Sequence, residues 1–182
     1  MSYSGKIIQE MEKVMARVGK DELKAVAEKL AGAPRIFVAG EGRSGLMGKS
    51  FAMRLMHLGA TVFAVGETIT PALKKGDLLV AVSGSGQTRA VVEMAEKARK
   101  LDCDVIAFTS NPESDLTKSS TDVLYIPAAT KYRRSEEPET IQPLGSLFDQ
   151  CLHVVQDAIC LYYADLKEEG QDSAFGRHSN LE

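Results

Sequence analysis

From residue 36 onward, short apolar runs alternate with longer segments in which apolar positions recur every three or four residues. The runs "IFVA" (36–39), "TVFAV" (61–65), "LLVAV" (78–82), "VIAFT" (105–109) and "VLYI" (123–126) are apolar at nearly every position, the pattern of strands buried on both faces. Helical spacing falls between several of them, at 45–58 and 88–101, with a short stretch near 113–119. Ahead of the first run, Ile7, Ile8, Met11, Val14, Met15 and Val18 recur at helical spacing and predict helices over roughly 3–18 and 21–31, joined at Gly19. Residues 127–143 are polar and proline-containing, a long helix follows over about 144–166, and a polar tail ends "FGRHSNLE". Strands alternating with helices predict a five-stranded parallel sheet covered on both faces. The expected organisation is one domain over 1–182, with N-terminal helices to 33, an α/β core over 34–166 and a tail over 167–182. The N-terminal helices carry more apolar surface than five strands need, which predicts that they pack across subunits.

Composition narrows the partners. A formal charge of −3 argues against nucleic acid, which favours a basic face. No apolar run approaches the ~20 residues of a membrane span, and "MSYSGKIIQEMEKV" is too charged for a signal peptide. Cys103, Cys151 and Cys160 are unclustered, which disfavours a disulfide framework or a zinc site and suits a reducing cytoplasm. Met47, Met53 and Met56 read as core or interface packing.

Ligands of open parallel sheets bind beyond the carboxyl ends of the strands, and two loops there are chemically unusual. The first, "FVAGEGRSGLMGKS" (37–50), spells Gly40-x-Gly42-x-x-Gly45 between a strand and a helix, a dinucleotide-binding fingerprint, with Glu67 near the place of a ribose-binding acid. Length opposes that reading, because the residues beyond the fifth strand are too few for a substrate domain. The second loop, "SGSGQT", places Ser83, Ser85 and Thr88 among Gly84, Gly86 and Gln87 at a helix start. Glycines admit close backbone approach, the helix start offers free N–H groups, and three hydroxyls can donate to one phosphate. No P-loop lysine follows, which disfavours a nucleoside triphosphate. A serine-rich capped turn is the alternative; Ser44, equivalently placed after the first strand, favours a phosphate end and a polar sugar chain shared by both loops.

Together, "AGEGRSGLMGKSFAMRLMHLG", "VGETITP", "SGSGQT", "IQPLGSLFDQ" and "RHSNLE" resemble the 6-phospho-3-hexuloisomerases of the sugar isomerase (SIS) superfamily, from about residue 35 to the end. The resemblance implies a flavodoxin-like three-layer α/β/α sandwich, assembled as a tetramer. It implies interconversion of D-arabino-hex-3-ulose 6-phosphate and fructose 6-phosphate without cofactor or metal. In that family the reaction follows a synthase that fixes formaldehyde onto ribulose 5-phosphate.

Shifting a carbonyl between carbons 3 and 2 needs one base of modest pKa, donors to an enediolate and a fixed phosphate. Asp149, early in the long helix where the family commonly has Glu, is the first candidate for the base. It equally suits a first-turn acid facing the helix dipole, or a partner for His153, itself read as structural. His57, near the position of an acid/base residue in related isomerases, is a candidate proton carrier or ring opener, although the dipole alone favours histidine there. Glu67 follows the second strand at the ligand edge, with Thr70 and Pro71 shaping the wall. Arg43 is placed to contact phosphate, and His178 sits in a tail that either frays or docks into a neighbouring subunit's site. The alternatives are another phosphosugar isomerase, of arabinose 5-phosphate or sedoheptulose 7-phosphate type, and a sugar-phosphate-sensing domain. The latter normally carries a helix-turn-helix module, for which the residues before the first strand are too few and insufficiently basic.

Overall fold

A computed structural model describes residues 1–181; Glu182, the last residue of the tail read from sequence, lies outside the described residues. In chain order the elements are α1 (Tyr3–Met15), α2 (Lys20–Gly32), β1 (Ile36–Gly40), α3 (Gly42–His57), β2 (Val62–Ala64) and β3 (Leu78–Val82). They continue with α4 (Arg89–Lys100), β4 (Asp104–Thr109), α5 (Asp115–Lys118), β5 (Asp122–Tyr125), α6 (Ser146–Lys167) and α7 (Gln171–Gly176). The sheet is parallel throughout, in the order β2-β1-β3-β4-β5. Each predicted strand is present, and the helices lie where the periodicity placed them.

Alternate residues of β1, β3 and β4 feed two separate cores, and β5 adds Leu124 to one of them. Ile36, Val38, Leu78, Val80, Val82, Ile106, Phe108 and Leu124 point to a broad core covered by α2, α3 and α6. Phe37, Ala39, Leu79, Ala81, Val105 and Ala107 point the other way, against Val91, Ala95 and Ala98 of α4. Ala39, Ala81, Ala95, Ala98 and Ala107 give this second layer its small side chains. The chain is therefore a three-layer α/β/α sandwich with N-terminal helices added. No helix among the described residues is long and apolar enough to cross a membrane.

Two expectations need revision. The apolar face of α2 is spent within the chain, because Leu23, Val26, Ala27 and Leu30 pack into the broad core. One five-stranded face needs more cover than α3 and α6 supply, and α2 completes it beside α6. On α1, Val14 is buried and Met11 and Met15 pack on the same core. The polar tail, in turn, contains α7, closed by a clasp in which Arg177 makes two hydrogen bonds of 2.8 Å to Glu169 and one of 3.0 Å to the His57 carbonyl.

Two glycines fix the loops at the carboxyl edge. A Cβ on Gly45 would lie 2.5 Å from the Gly40 carbonyl oxygen, so α3 starts against the tip of β1 only because no side chain intervenes. Gly86 has φ of 65°, and a Cβ there would lie 2.0 Å from Ser114 Oγ. Gly45→Ala and Gly86→Ala should each lower stability by roughly 2–4 kcal/mol, read as the urea unfolding midpoint. Gly32→Ala, where an added Cβ meets open space, should leave the midpoint within about 0.5 kcal/mol of the parent value.

Candidate functional site

Three helix N-termini converge where β1 and β3 end. Residues Gly42, Arg43 and Ser44 open α3, Thr88 caps α4, and Gly145 caps α6. They line a cavity of about 570 Å³, together with Glu41, Gly84, Ser85, Thr130, Lys131, Pro143, Leu144, Ser146, Phe148 and Asp149. Helix starts expose N–H groups without intrahelical partners, so this convergence favours an anion.

The "SGSGQT" loop is shaped by its own hydroxyls. Ser83, buried at the end of β3, accepts from the Gly86 N–H at 3.1 Å and shares a 2.8 Å hydrogen bond with the Thr88 hydroxyl. Ser85 Oγ accepts from the Gln87 N–H at 3.2 Å. The loop carbonyls are held by the β4 side, with Ser110 Oγ donating to Gly84 O at 2.8 Å and Asn111 Nδ2 to Ser85 O at 3.2 Å. With those acceptors engaged, the loop offers a ligand donors rather than carbonyls. Ser83 thus organises the turn, while Ser85 and Thr88 face the cavity.

Across the cavity, the Ser44 hydroxyl donates to Asp149 Oδ1 at 2.6 Å, joining the first loop to α6. Arg43 Nε lies 3.8 Å from Asp149 Oδ2, and Arg43 Nη1 donates to Ser146 Oγ at 3.1 Å. Asp149 is 5% exposed. Burial pushes its carboxyl above the ordinary aspartate range, a shift reduced but not reversed by the Ser44 hydrogen bond and the Arg43 charge. A carboxylate at a cavity wall, held by one hydroxyl and raised by desolvation, has the properties of a general base.

Other residues singled out from sequence lie elsewhere. Glu67 is exposed and paired with Lys49 of α3. Gln87 is exposed, with its side chain outside the cavity lining. His57 ends α3, about 22 Å along the helix axis from the cavity end. There its ring is buried and stacked on His178 at 5.3 Å between centroids and 20° between planes. Burial, with the nearby Arg54 charge and His178, pulls the His57 pKa down. The structure therefore gathers Arg43, Ser44, Gly84, Ser85, Thr88 and Asp149 at one end, and His57 with His178 at the other. Periodicity passed over Thr130 and Lys131, which lie in a segment without helix or strand; the only signal there was the Pro143-Leu144-Gly145 turn before the long helix.

Residues 29–151 match the SIS domain family. The 3-hexulose-6-phosphate isomerase of Bacillus subtilis (strain 168) is 41% identical over 99% of this chain and 97% of its own length. That of Mycobacterium gastri is 42% identical over 95% of this chain and 86% of its own. A Methanococcus jannaschii protein, whose crystal structure was described as inferring a 3-hexulose-6-phosphate isomerase function, superposes with a TM-score of 0.83 at 29% identity. Coverage in that superposition is 98% of this chain and 96% of the other. With the convergent helix starts and the buried carboxylate in place, these likenesses settle the family: the chain belongs to the SIS domain proteins and, within them, to the 3-hexulose-6-phosphate isomerases.

Proposed function

We propose that the chain interconverts D-arabino-hex-3-ulose 6-phosphate and fructose 6-phosphate through a 2,3-enediolate. The single observation that carries this reading is the buried Asp149 beside the hydroxyl- and N–H-rich cavity wall. The phosphate is read against Ser85, Thr88 and the start of α4, with Arg43 and Lys131 as the cations of the lining. That placement carries carbons 2 and 3 toward Asp149. The carboxylate takes the proton from carbon 2, and the electron pair moves into a carbon 2–carbon 3 double bond as the carbon 3 carbonyl becomes an oxyanion. The proton returns at carbon 3 as the carbonyl forms at carbon 2, and the hydroxyl proton of carbon 2 moves to the oxygen on carbon 3. Ser44 orients the carboxylate, and the α3 and α6 helix starts stabilise the negative oxygen.

The homotetramer reading is supported by apolar side chains exposed along the outer faces of α3 and α6, among them Leu46, Met53, Val154 and Leu161. A catalytic part for His57 or His178 requires such an assembly, because both lie at the opposite end of their own chain. A part for Glu67 would likewise need the assembly, because in its own chain it lies outside the cavity lining and pairs with Lys49. Location in a reducing cytoplasm, which suits three free cysteines, and coupling to a hexulose-phosphate synthase complete the reading. Light scattering that finds a monomer removes the histidines from the chemistry.

In heavy water, fructose 6-phosphate should gain deuterium at carbon 3, read by NMR; gain at carbon 1 would identify an aldose–ketose isomerase instead. Asp149→Asn should lower kcat by about 10²–10⁴-fold. Ser85→Ala should act mainly on KM, by the ~1–3 kcal/mol of a charged hydrogen bond.

The raised pKa of Asp149 fixes the sign of two pH effects. Activity needs the ionised form, so kcat/KM falls as pH drops through a value above the ordinary ~3.9. Folding favours the protonated form, so that contribution is full below about 3.9 and is lost as pH rises through the higher folded-state value. Asp149→Asn lacks the loss and should gain stability over the parent across that window, measured by urea unfolding at several pH values.

A further inference from the structure

Helix α1 lies outside both the residues matched to the SIS domain and the cavity lining, yet one of its side chains reaches the segment that walls the cavity. The Glu10 carboxylate accepts from Thr140 Oγ1 at 2.6 Å, from the Ile141 N–H at 2.9 Å and from Gln142 Nε2 at 3.0 Å. Burial pushes this carboxyl up, but the bonds from Thr140, Gln142 and Ile141 outweigh it and hold Glu10 below the ordinary glutamate range.

The segment between β5 and α6 has neither helix nor strand, and side chains join a few backbone turns in shaping it. Arg133 donates to the carbonyls of Thr130, Gln142 and Leu144, so Gln142 links it to Glu10. The Leu144 backbone, at φ of 52°, is left-handed at the cavity rim, with its carbonyl held by Arg133 Nη1 at 2.8 Å. Glu137, almost fully buried, accepts from the Thr130 N–H at 2.8 Å and from Thr130 Oγ1 at 2.6 Å. From outside the segment come the Glu10 carboxylate and, more weakly, the Ser85 carbonyl, which accepts from Arg134 Nη2 at 3.4 Å. The three partners of Glu10 are consecutive residues immediately before Pro143, Leu144, Gly145 and Ser146 of the cavity wall. Helix α1 is seated independently, by Met11, Val14 and Met15.

We propose that Glu10 is a positioning residue for the isomerase site: α1 is a strut whose carboxylate fixes Thr140–Gln142, and through them the wall that closes on the sugar phosphate. The inference rests on the reading of the cavity given above. A wall ordered in advance removes an ordering cost from binding, so its loss appears in KM before kcat.

The test compares Glu10→Ala and Glu10→Gln with the parent, and with Glu12→Ala as an exposed control on the same helix, by steady-state kinetics on fructose 6-phosphate and by amide hydrogen exchange. Glu10→Ala should raise KM about tenfold with kcat within about threefold. It should speed exchange at Ile141 and Gln142 while α2 and the sheet keep their protection. Glu10→Gln, whose amide oxygen still accepts from the Ile141 N–H, should fall between, and Glu12→Ala should match the parent. An unchanged KM in Glu10→Ala overturns the inference, as does faster exchange spread evenly through α1 and the core. Ser85→Ala run in parallel separates the failures. If it raises KM where Glu10→Ala does not, Glu10 alone is misassigned; if neither raises KM, the cavity is not the phosphate site and the role of Glu10 falls with it.

Discussion

The site exists because the order in which the chain adds strands reverses between β1 and β3. These strands pair in parallel, Gly40 beside Val82, but their following helices leave on opposite faces: α3 packs on the broad core and α4 on the alanine layer. The two loops must therefore diverge, and a crevice opens at the carboxyl ends. Helix α6 then brings its own N-terminus to the same crevice, joined by the hydrogen bond from Ser44 to Asp149. Every polar group assigned to the ligand occupies one of those three helix starts or the wall that faces them.

Two opposing demands meet at Asp149. Proton abstraction from carbon needs a base stronger than an exposed carboxylate, which burial provides, whereas folding needs the charge compensated. Ser44 and Arg43 supply part of the compensation and leave the carboxyl raised. The cavity accordingly pairs the hydroxyls of Ser85 and Thr88 with the buried carboxyl of Asp149.

Much of the fold was legible because strand burial and helix periodicity are local signals. Ile36–Gly40 and Leu78–Val82 read as buried strands from their own residues, whereas the glycines, read as room for an anion, prove at Gly45 and Gly86 to make room for the chain itself. What was illegible depends on distant partners. Lys131 and Thr130 reach the cavity because Arg133, Glu137 and Glu10 fold an otherwise polar stretch, and no periodicity marks contacts 130 or more residues apart. His57 and His178 carry chemistry-bearing side chains, but their distance from Asp149 follows from α3 running antiparallel to the strands, which a motif does not display. The first loop shows the same division. Its spelling fits a dinucleotide fold, and Gly45 serves a steric end here as well, against the Gly40 carbonyl.

The alanine layer makes the two faces of the sheet fragile in opposite ways. Against α4, where Ala39, Ala81 and Ala107 share a core with Ala95 and Ala98, an added methylene has nowhere to go without lifting the helix. On the broad face, Phe51, Phe108 and Phe148 leave voids when shortened. Because the Ser85 turn leads into α4, enlargement on the thin side would move the hydroxyls that line the cavity, whereas hollowing the thick side would loosen the scaffold beneath the Asp149 carboxyl. Drift in this sequence is thus steered toward keeping one layer small and the other full.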